Sequence, residues 1–494
     1  MKTSYLQRSI FKIIYTFMNR LKNKSQEISQ ISSLITLFLW LLFIGNAVFL
    51  ISSFIIDIKW YTSAIVRFNG FSILIWTVVT FFSALISSYS KNYLMGFTYR
   101  NRFNLLALGF TIAVMLFVIA NNLFLLVGNW FLMGFFISKL IGIHKNWMEA
   151  RAASYFSQKY FLFSSFLLGI GILILGLYTE ENTLIGLTSM IHTVPTSMTI
   201  ISSLFIITAA IIQSAIFPFH RWLLSAMTAP TPASALMHAG FVNGSGILLA
   251  LFSTLLVAAN TLSLLFVIGG VTVIIGQFAK LLQVNVKQKL ACSTIAQMGF
   301  MIMQCGLGFF NAAVLHLILH GFYKAYLFLS SGEEIEYSSP SNSLEIKIKP
   351  LQALIVLIYG IIGAVLFIFL TGKGTAFDGG ILLTLIVAIT VGQVTYNFVK
   401  EKSLSLIQKM LAPPILFIAG ISVYAILLNG VTLLMKDTPL AVAPASLSIF
   451  EVVFGIVVLI GFFIMKLGVY RKYPWLYVKL LNMSQPYKKS IFNQ

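Results

Sequence analysis

Apolar runs of about twenty residues recur along nearly the whole chain, and that repetition decides the class of fold. A helix needs this length to cross a hydrocarbon core of about 30 Å. In lipid a spanning segment must also satisfy its own backbone polar groups, which only helices and closed barrels achieve. A barrel would show short alternating segments, whereas these runs are continuous. The chain therefore reads as an all-α polytopic membrane protein with about 14 transmembrane helices. They fall near 33–55, 70–90, 104–120, 123–143, 160–178, 198–217, 233–257, 262–282, 290–309, 311–330, 351–371, 380–400, 411–434 and 446–466. With 59% hydrophobic and 9% charged residues, a soluble globular domain is excluded. The net charge of +20 does not point to nucleic acid, because the basic residues sit in short loops and at the two ends. With the N-terminus inside, only Lys59, Arg67, Lys373 and Lys436 fall outside, as the positive-inside rule requires, and both termini are expected to be cytoplasmic.

The stretch from Phe217 to Gly246, FPFHRWLLSAMTAPTPASALMHAGFVNGSG, joins two of these spans yet carries three prolines, His220, His238, Arg221 and Trp222. A proline removes a backbone donor and clashes with the preceding turn, so Pro218 is expected to interrupt a helix, and interrupted helices are where transporters place ion sites. Five spans lie between 104 and 257 and five between 262 and 400. Consecutive units with an odd number of spans have opposite topology, so two inverted five-helix repeats are expected. The matching interruption in the second is TGKGTAFDGG, Thr371 to Gly380, with Lys373 and Asp378. The chain thus divides into a basic amphipathic cytoplasmic segment (1–30), read as surface-lying rather than as a secretory signal, the first two spans (31–102), repeat 1 (103–257), repeat 2 (258–402), and the C-terminal spans with a basic cytoplasmic tail (403–494).

His316, His320 and Lys324 lie four residues apart and form one stripe on a helix face. Histidine titrates near neutral pH and passes protons through two nitrogens, so the stripe reads as a proton relay. The alternative is histidines bonded to serine and carbonyl groups, with Lys324 snorkelling. Lys280 and Lys139 lie near the inner ends of their spans, where a lysine can also snorkel. Cys292 and Cys305, the two cysteines, sit inside apolar segments without a cysteine or histidine cluster, so neither a disulfide framework nor a zinc site is expected and no cofactor is assigned to this chain. Asp378, at a membrane edge, is the one intramembrane carboxylate expected in the central repeats. Sodium prefers oxygen ligands, so a proton is the favoured ion.

The order Phe-Pro-x-His-x-Trp-Leu followed by Ala-Pro-Thr-Pro-x-Ser-Ala-Leu-x-His-Ala resembles the antiporter-like membrane subunits shared by respiratory complex I, membrane hydrogenases and Mrp antiporters. Within that superfamily, MHAGFVNGSGILL (Met237 to Leu249), ACSTIAQMGFMIMQCGLG (Ala291 to Gly308) and LHGFYKAYLFLSSG (Leu319 to Gly332) are similar to DabB, the membrane subunits of bacterial DAB inorganic-carbon accumulation complexes. The resemblance covers roughly Arg67 to Ser331 and makes the two repeats antiporter-like. It places His238, Lys280, His316, His320 and Lys324 at superfamily positions, with His220 beside the break and Lys373 at the lysine of a second broken helix; an external loop lysine is the alternative for Lys373. Two departures stand out. Gln213 occupies the place of the lysine usual before the break, and Phe131 follows Trp130 where a glutamate is usual. The resemblance implies no catalytic residue here, a bacterial inner-membrane location, and a cytoplasmic, zinc-containing, β-carbonic-anhydrase-like partner (DabA) that hydrates carbon dioxide while this subunit couples the step to cation flow. The rival readings are a subunit of complex I, a hydrogenase or an Mrp-type antiporter, and a non-conducting membrane anchor.

Overall fold

Asparagine side chains open several of the helices that carry the architecture. Asn69 accepts from Ser72 N, Asn122 from Phe124 N and Leu125 N, and Asn285 from Lys287 N and Gln288 N. Each satisfies first-turn donors that lipid could not. In the computed structural model, which describes residues 30–56, 58–331, 350–374, 378–400, 405–438, 448–466 and 473–490, the first helix is α1 (Gln30–Ile55). A two-pair hairpin follows, β1 (Tyr61–Thr62) and β2 (Arg67–Phe68). Next come α2 (Gly70–Tyr93), α3 (Arg100–Ile119), α4 (Leu123–Ile141), α5 (Met148–Thr179), α6 (Leu184–Ser189) and α7 (Thr196–Gln213). Short pieces succeed them: α8 (Arg221–Ser225), α9 (Thr231–Leu236), a π-helical turn (Met237–Phe241), α10 (Gly244–Leu251) and α11 (Ser253–Ala258). Long helices resume with α12 (Leu262–Leu282), α13 (Val286–Gly306), α14 (Phe310–Ser330), α15 (Pro350–Thr371), α16 (Gly379–Lys400), α17 (Leu406–Leu434) and α18 (Ile449–Lys466), before a last short helix, α19 (Pro474–Met483).

Twelve helices among the described residues are long and apolar enough to cross a membrane. The less apolar α13 and the helix α18 fill the other two expected positions, so the chain is a multi-pass membrane protein. Outward faces agree, since Ile55, Phe369 and Ile449 are each more than three-quarters exposed, a placement that lipid rather than water favours. Several expectations are refined. The fifth span starts at Met148 instead of near 160, lengthened at its charged end, where Lys159 rests 4.5 Å from the centre of the Tyr155 ring. The seventh is not one helix but α9, the π turn, α10 and α11. The basic tail contains α19. The segment 1–29 lies outside the described residues.

The closest helix pair is α12 with α13. A β-carbon on Gly276 would lie 2.6 Å from Ala296 N, and one on Gly269 2.6 Å from the Gly299 carbonyl oxygen. Small residues at these crossings let two backbones meet, the main source of helix association where no hydrophobic drive operates. Gly276→Val is therefore expected to cost about 1–3 kcal/mol and to reduce the yield of monodisperse protein in size-exclusion chromatography. Gly420→Ala, where nothing lies within 4 Å, should leave that yield unchanged.

Candidate ion path

α14 carries the stripe read from the sequence. The His316 and His320 rings stack with centroids 6.2 Å apart and 15° between planes. One turn on, Lys324 is fully buried. Its Nζ donates to the Leu290 carbonyl at 2.9 Å and to Ser293 Oγ, so α13 supplies two acceptors for an ammonium that would otherwise be stranded at this depth. Gly321 lets another element reach the same helix, because a β-carbon there would sit 3.1 Å from the Ala239 carbonyl oxygen of the π turn. Asn243 fastens the contact by donating to Ala239 O and Leu317 O. The result brings His238 onto α14, its ring stacked 4.3 Å from that of Phe328. Both ring nitrogens of His238 and of His320, and Nε2 of His316, are buried without a protein partner. Water is the usual partner for such groups. His316 and Gln304, whose Oε1 is likewise unpartnered, line a cavity of about 380 Å³ with Thr390 and Tyr424.

Lys373 stands at one end of this row. It lies in the turn between α15 and α16, with Gly372 at φ 65° and Gly374 at φ 84°, and its Nζ is 4.0 Å from the centre of the Phe309 ring. Helical geometry is interrupted at this glycine-rich place as expected, but between two spans. Burial lowers Lys373 to about 8, against the opposing pull of Asp378. Phe309 immediately precedes α14, so the order from one end is Lys373, His316, His320, Lys324, over about 22 Å of helix. Lys280 belongs to the last turn of α12.

Gln213 stands apart, at the end of α7. It is buried with Nε2 unpartnered; a β-carbon on Gly244 would lie 2.9 Å from that nitrogen, 3.3 Å from Met133 and 3.6 Å from Trp130. Trp130 donates away from it, to Ser164 Oγ, and Phe131 is about one-third exposed. The neighbourhood is tight.

His220 follows the break. Its Nε2 bonds the Met483 carbonyl at 2.8 Å; Gln283 Nε2 donates to Ser484 O and Tyr487 N to Ser225 Oγ, both at 2.9 Å, while the Tyr487 ring stacks on Phe156 at 4.2 Å. The C-terminal residues are thus a strap across α5, α8 and the end of α12. The sequence had indicated neither this strap nor Ser293, Gln304 and Tyr424, whose roles arise from pairings remote along the chain. Among the described residues no three His, Cys, Asp or Glu side chains come together as a metal site.

Fold and site define a polytopic helical membrane protein of the antiporter-like class, with histidines and lysines drawn into an interrupted bundle. Residues 120–372, just over half of the chain, match the family described as NADH:quinone oxidoreductase/Mrp antiporter, TM, and the chain belongs to that family. It is 36% identical over 272 residues to the probable inorganic carbon transporter subunit DabB of Bacillus subtilis, covering 52% of each chain. To the DabB of the same description from Bacillus anthracis it is 42% identical over 182 residues, 37% of this chain and 36% of that one. The matches thus span about a third to a half of these relatives. The structure of the Mrp complex from Dietzia sp. aligns over 93% of this chain and 51% of that chain, with a TM-score of 0.56 at 18% identity, a likeness of fold.

Burial pushes His220 below its ordinary 6.5; the bond to Met483 opposes the shift and Arg221 adds to it. The folded chain thus favours neutral imidazole, so this contribution to stability is complete above about pH 6.5 and is lost as pH falls through that value towards the lower folded-state one. The unfolding midpoint of the purified chain should therefore fall on acidification below about pH 6.5, and His220→Gln should reduce this pH dependence.

Proposed function

We propose that this chain is the cation-conducting membrane subunit of an energy-coupled inorganic-carbon uptake complex, a transporter subunit rather than an enzyme, with protons as the ion. The observation that carries the reading is the His316, His320 and Lys324 row, joined by His238: both ring nitrogens of His238 and His320, and Nε2 of His316, are buried without a protein partner. Such groups can accept and release protons through water. Lys373 would serve one end of the path, Lys280 the other, and His220 the strap beside it. The DabB relatives support the carbon substrate. The hydration chemistry is assigned to a zinc-containing, β-carbonic-anhydrase-like partner on the cytoplasmic face, the chain itself lying in the bacterial inner membrane with both termini cytoplasmic. Repeat 1 (103–257) and repeat 2 (258–402) would be the inverted units of the conductor.

The Gln213 site favours a second reading, a membrane anchor that conducts nothing, since a neutral amide stands where the superfamily pattern has a lysine. Two experiments separate these. Expression with the zinc partner should restore growth in air to a carbonic-anhydrase-deficient bacterium, and expression of this chain alone should not; rescue by the chain alone would refute the two-subunit assignment. Lys324→Met, which removes a buried charge while keeping much of the side-chain volume, should abolish carbon accumulation at normal complex yield. Full accumulation at normal yield would take Lys324 out of the path and favour the anchor.

A further inference from the structure

Arg67 is buried at the start of the bundle, 2% exposed, yet none of its three side-chain nitrogens has a hydrogen-bond partner. Asn69, also 2% exposed, uses its Oδ1 to accept from Ser72 N at 3.0 Å and Ser72 Oγ at 2.8 Å, which leaves its Nδ2 without a partner. Thr438 Oγ1 is a third buried and unpartnered group. It lies four residues beyond Leu434, whose carbonyl packs directly against Gly70. Chemically the set is one-sided. A guanidinium offers five N–H donors and no acceptor, the free half of the asparagine is an NH₂, and a threonine hydroxyl can also donate. The 24-residue α2 begins here, adding the partial positive charge of a helix N-terminus.

The charge itself demands an answer. Burial lowers Arg67 to about 10, and among the described residues no carboxylate offsets it, so the guanidinium is still cationic at neutral pH. An uncompensated buried charge is strongly destabilising. Water could satisfy the N–H groups, but it would leave the charge unopposed. We propose that Arg67, Asn69 and the first turn of α2 form a binding site for a small planar oxyanion of the bicarbonate or carboxylate type. A planar fork of donors matches a planar pair of oxygens bidentately, and the free Asn69 amide, two residues on, offers a further donor. The hairpin that carries Arg67 is short. The hairpin holds by two residue pairs, Tyr61 with Phe68 and Thr62 with Arg67, and is tied on its other side by Asn121 N and Asn122 N donating to Ile65 O. A ribbon this short is marginal by itself, so an anion can exchange when it opens. The site uses none of the groups of the ion path and stands independently of the proposed transport.

The test uses the purified full chain in detergent, with its unfolding midpoint followed as bicarbonate, acetate or chloride is added at matched pH and ionic strength. The wild type should show a saturable rise with bicarbonate or acetate beyond the chloride effect, because a ligand that binds only the folded state stabilises it. The larger response identifies which of the two anion sources the site prefers. Arg67→Met should lose the response, and Arg67→Lys, which keeps the charge but not the fork, should require about tenfold more anion for half-saturation. Should Arg67→Met fail to fold, the wild-type comparison with chloride and the lysine variant still decide. Bicarbonate and acetate acting no more strongly than chloride on the wild type would overturn the proposal, as would an undiminished response in Arg67→Met.

Discussion

Everything near the site depends on how the chain satisfies the backbone it exposes between Gln213 and Thr231. A break inside an apolar bundle frees carbonyls that lipid cannot bond, and each must find protein. Trp222 Nε1 donates to Ile212 O at 2.8 Å, Ile216 N to Ile211 O at 3.0 Å, Gln288 Nε2 to Leu224 O at 3.3 Å and Lys287 Nζ to Ala229 O at 3.0 Å. The partners come from α8 and from the start of α13, and the His220 side chain in turn bonds the Met483 carbonyl of the C-terminal strap. Stitched this way, the break becomes a fixed platform from which α9 and the π turn project His238 towards α14. The Trp222 ring completes the platform, packed against Phe161 and Phe241 at 4.7 and 5.9 Å.

On the proposed function, the composition of the row sets how it works. His316, His320 and Lys324 are all bases, and none faces a carboxylate among the described residues. Two positive charges one helical turn apart repel strongly at low effective dielectric. The row therefore favours a single excess charge at a time, and a proton arriving at His320 favours departure of the one held on Lys324. Leu290 O and Ser293 Oγ define where the charge rests when it is on the lysine. The unpartnered histidine nitrogens offer the way between.

Periodicity made the spans legible, because crossing a membrane is a one-dimensional constraint written in consecutive residues. It also made the stripe on α14 legible, since residues four apart share a helix face whatever surrounds them. The break was visible for a local reason, the prolines. What could not be read were pairings between distant segments. Nothing near Tyr487 announces that its ring will lie on Phe156, and nothing near Lys324 announces Ser293. Arg67 illustrates the same limit: as an isolated basic residue outside the spans it reads as an ordinary loop charge, and only the packed hairpin shows its guanidinium buried without a partner. The π turn was hidden too, because a helix with one wider turn has the same apolar pattern as a regular one.

Gln213 shows how the two halves of the bundle differ physically. An ammonium at that position would need acceptors to be tolerated at this depth. Gly244 makes room for the Gln213 nitrogen, and a β-carbon there would also meet the Met133 methyl and the Trp130 ring. The neighbouring Ser214 Oγ donates to Val242 O and bonds Ser245 Oγ. A neutral amide occupies this space at the cost of one unpartnered nitrogen, whereas a cation there would need acceptors for its charge. The surroundings of residue 213 are thus matched to glutamine, and the titratable stretch of the bundle begins only at His238, where the π turn meets α14.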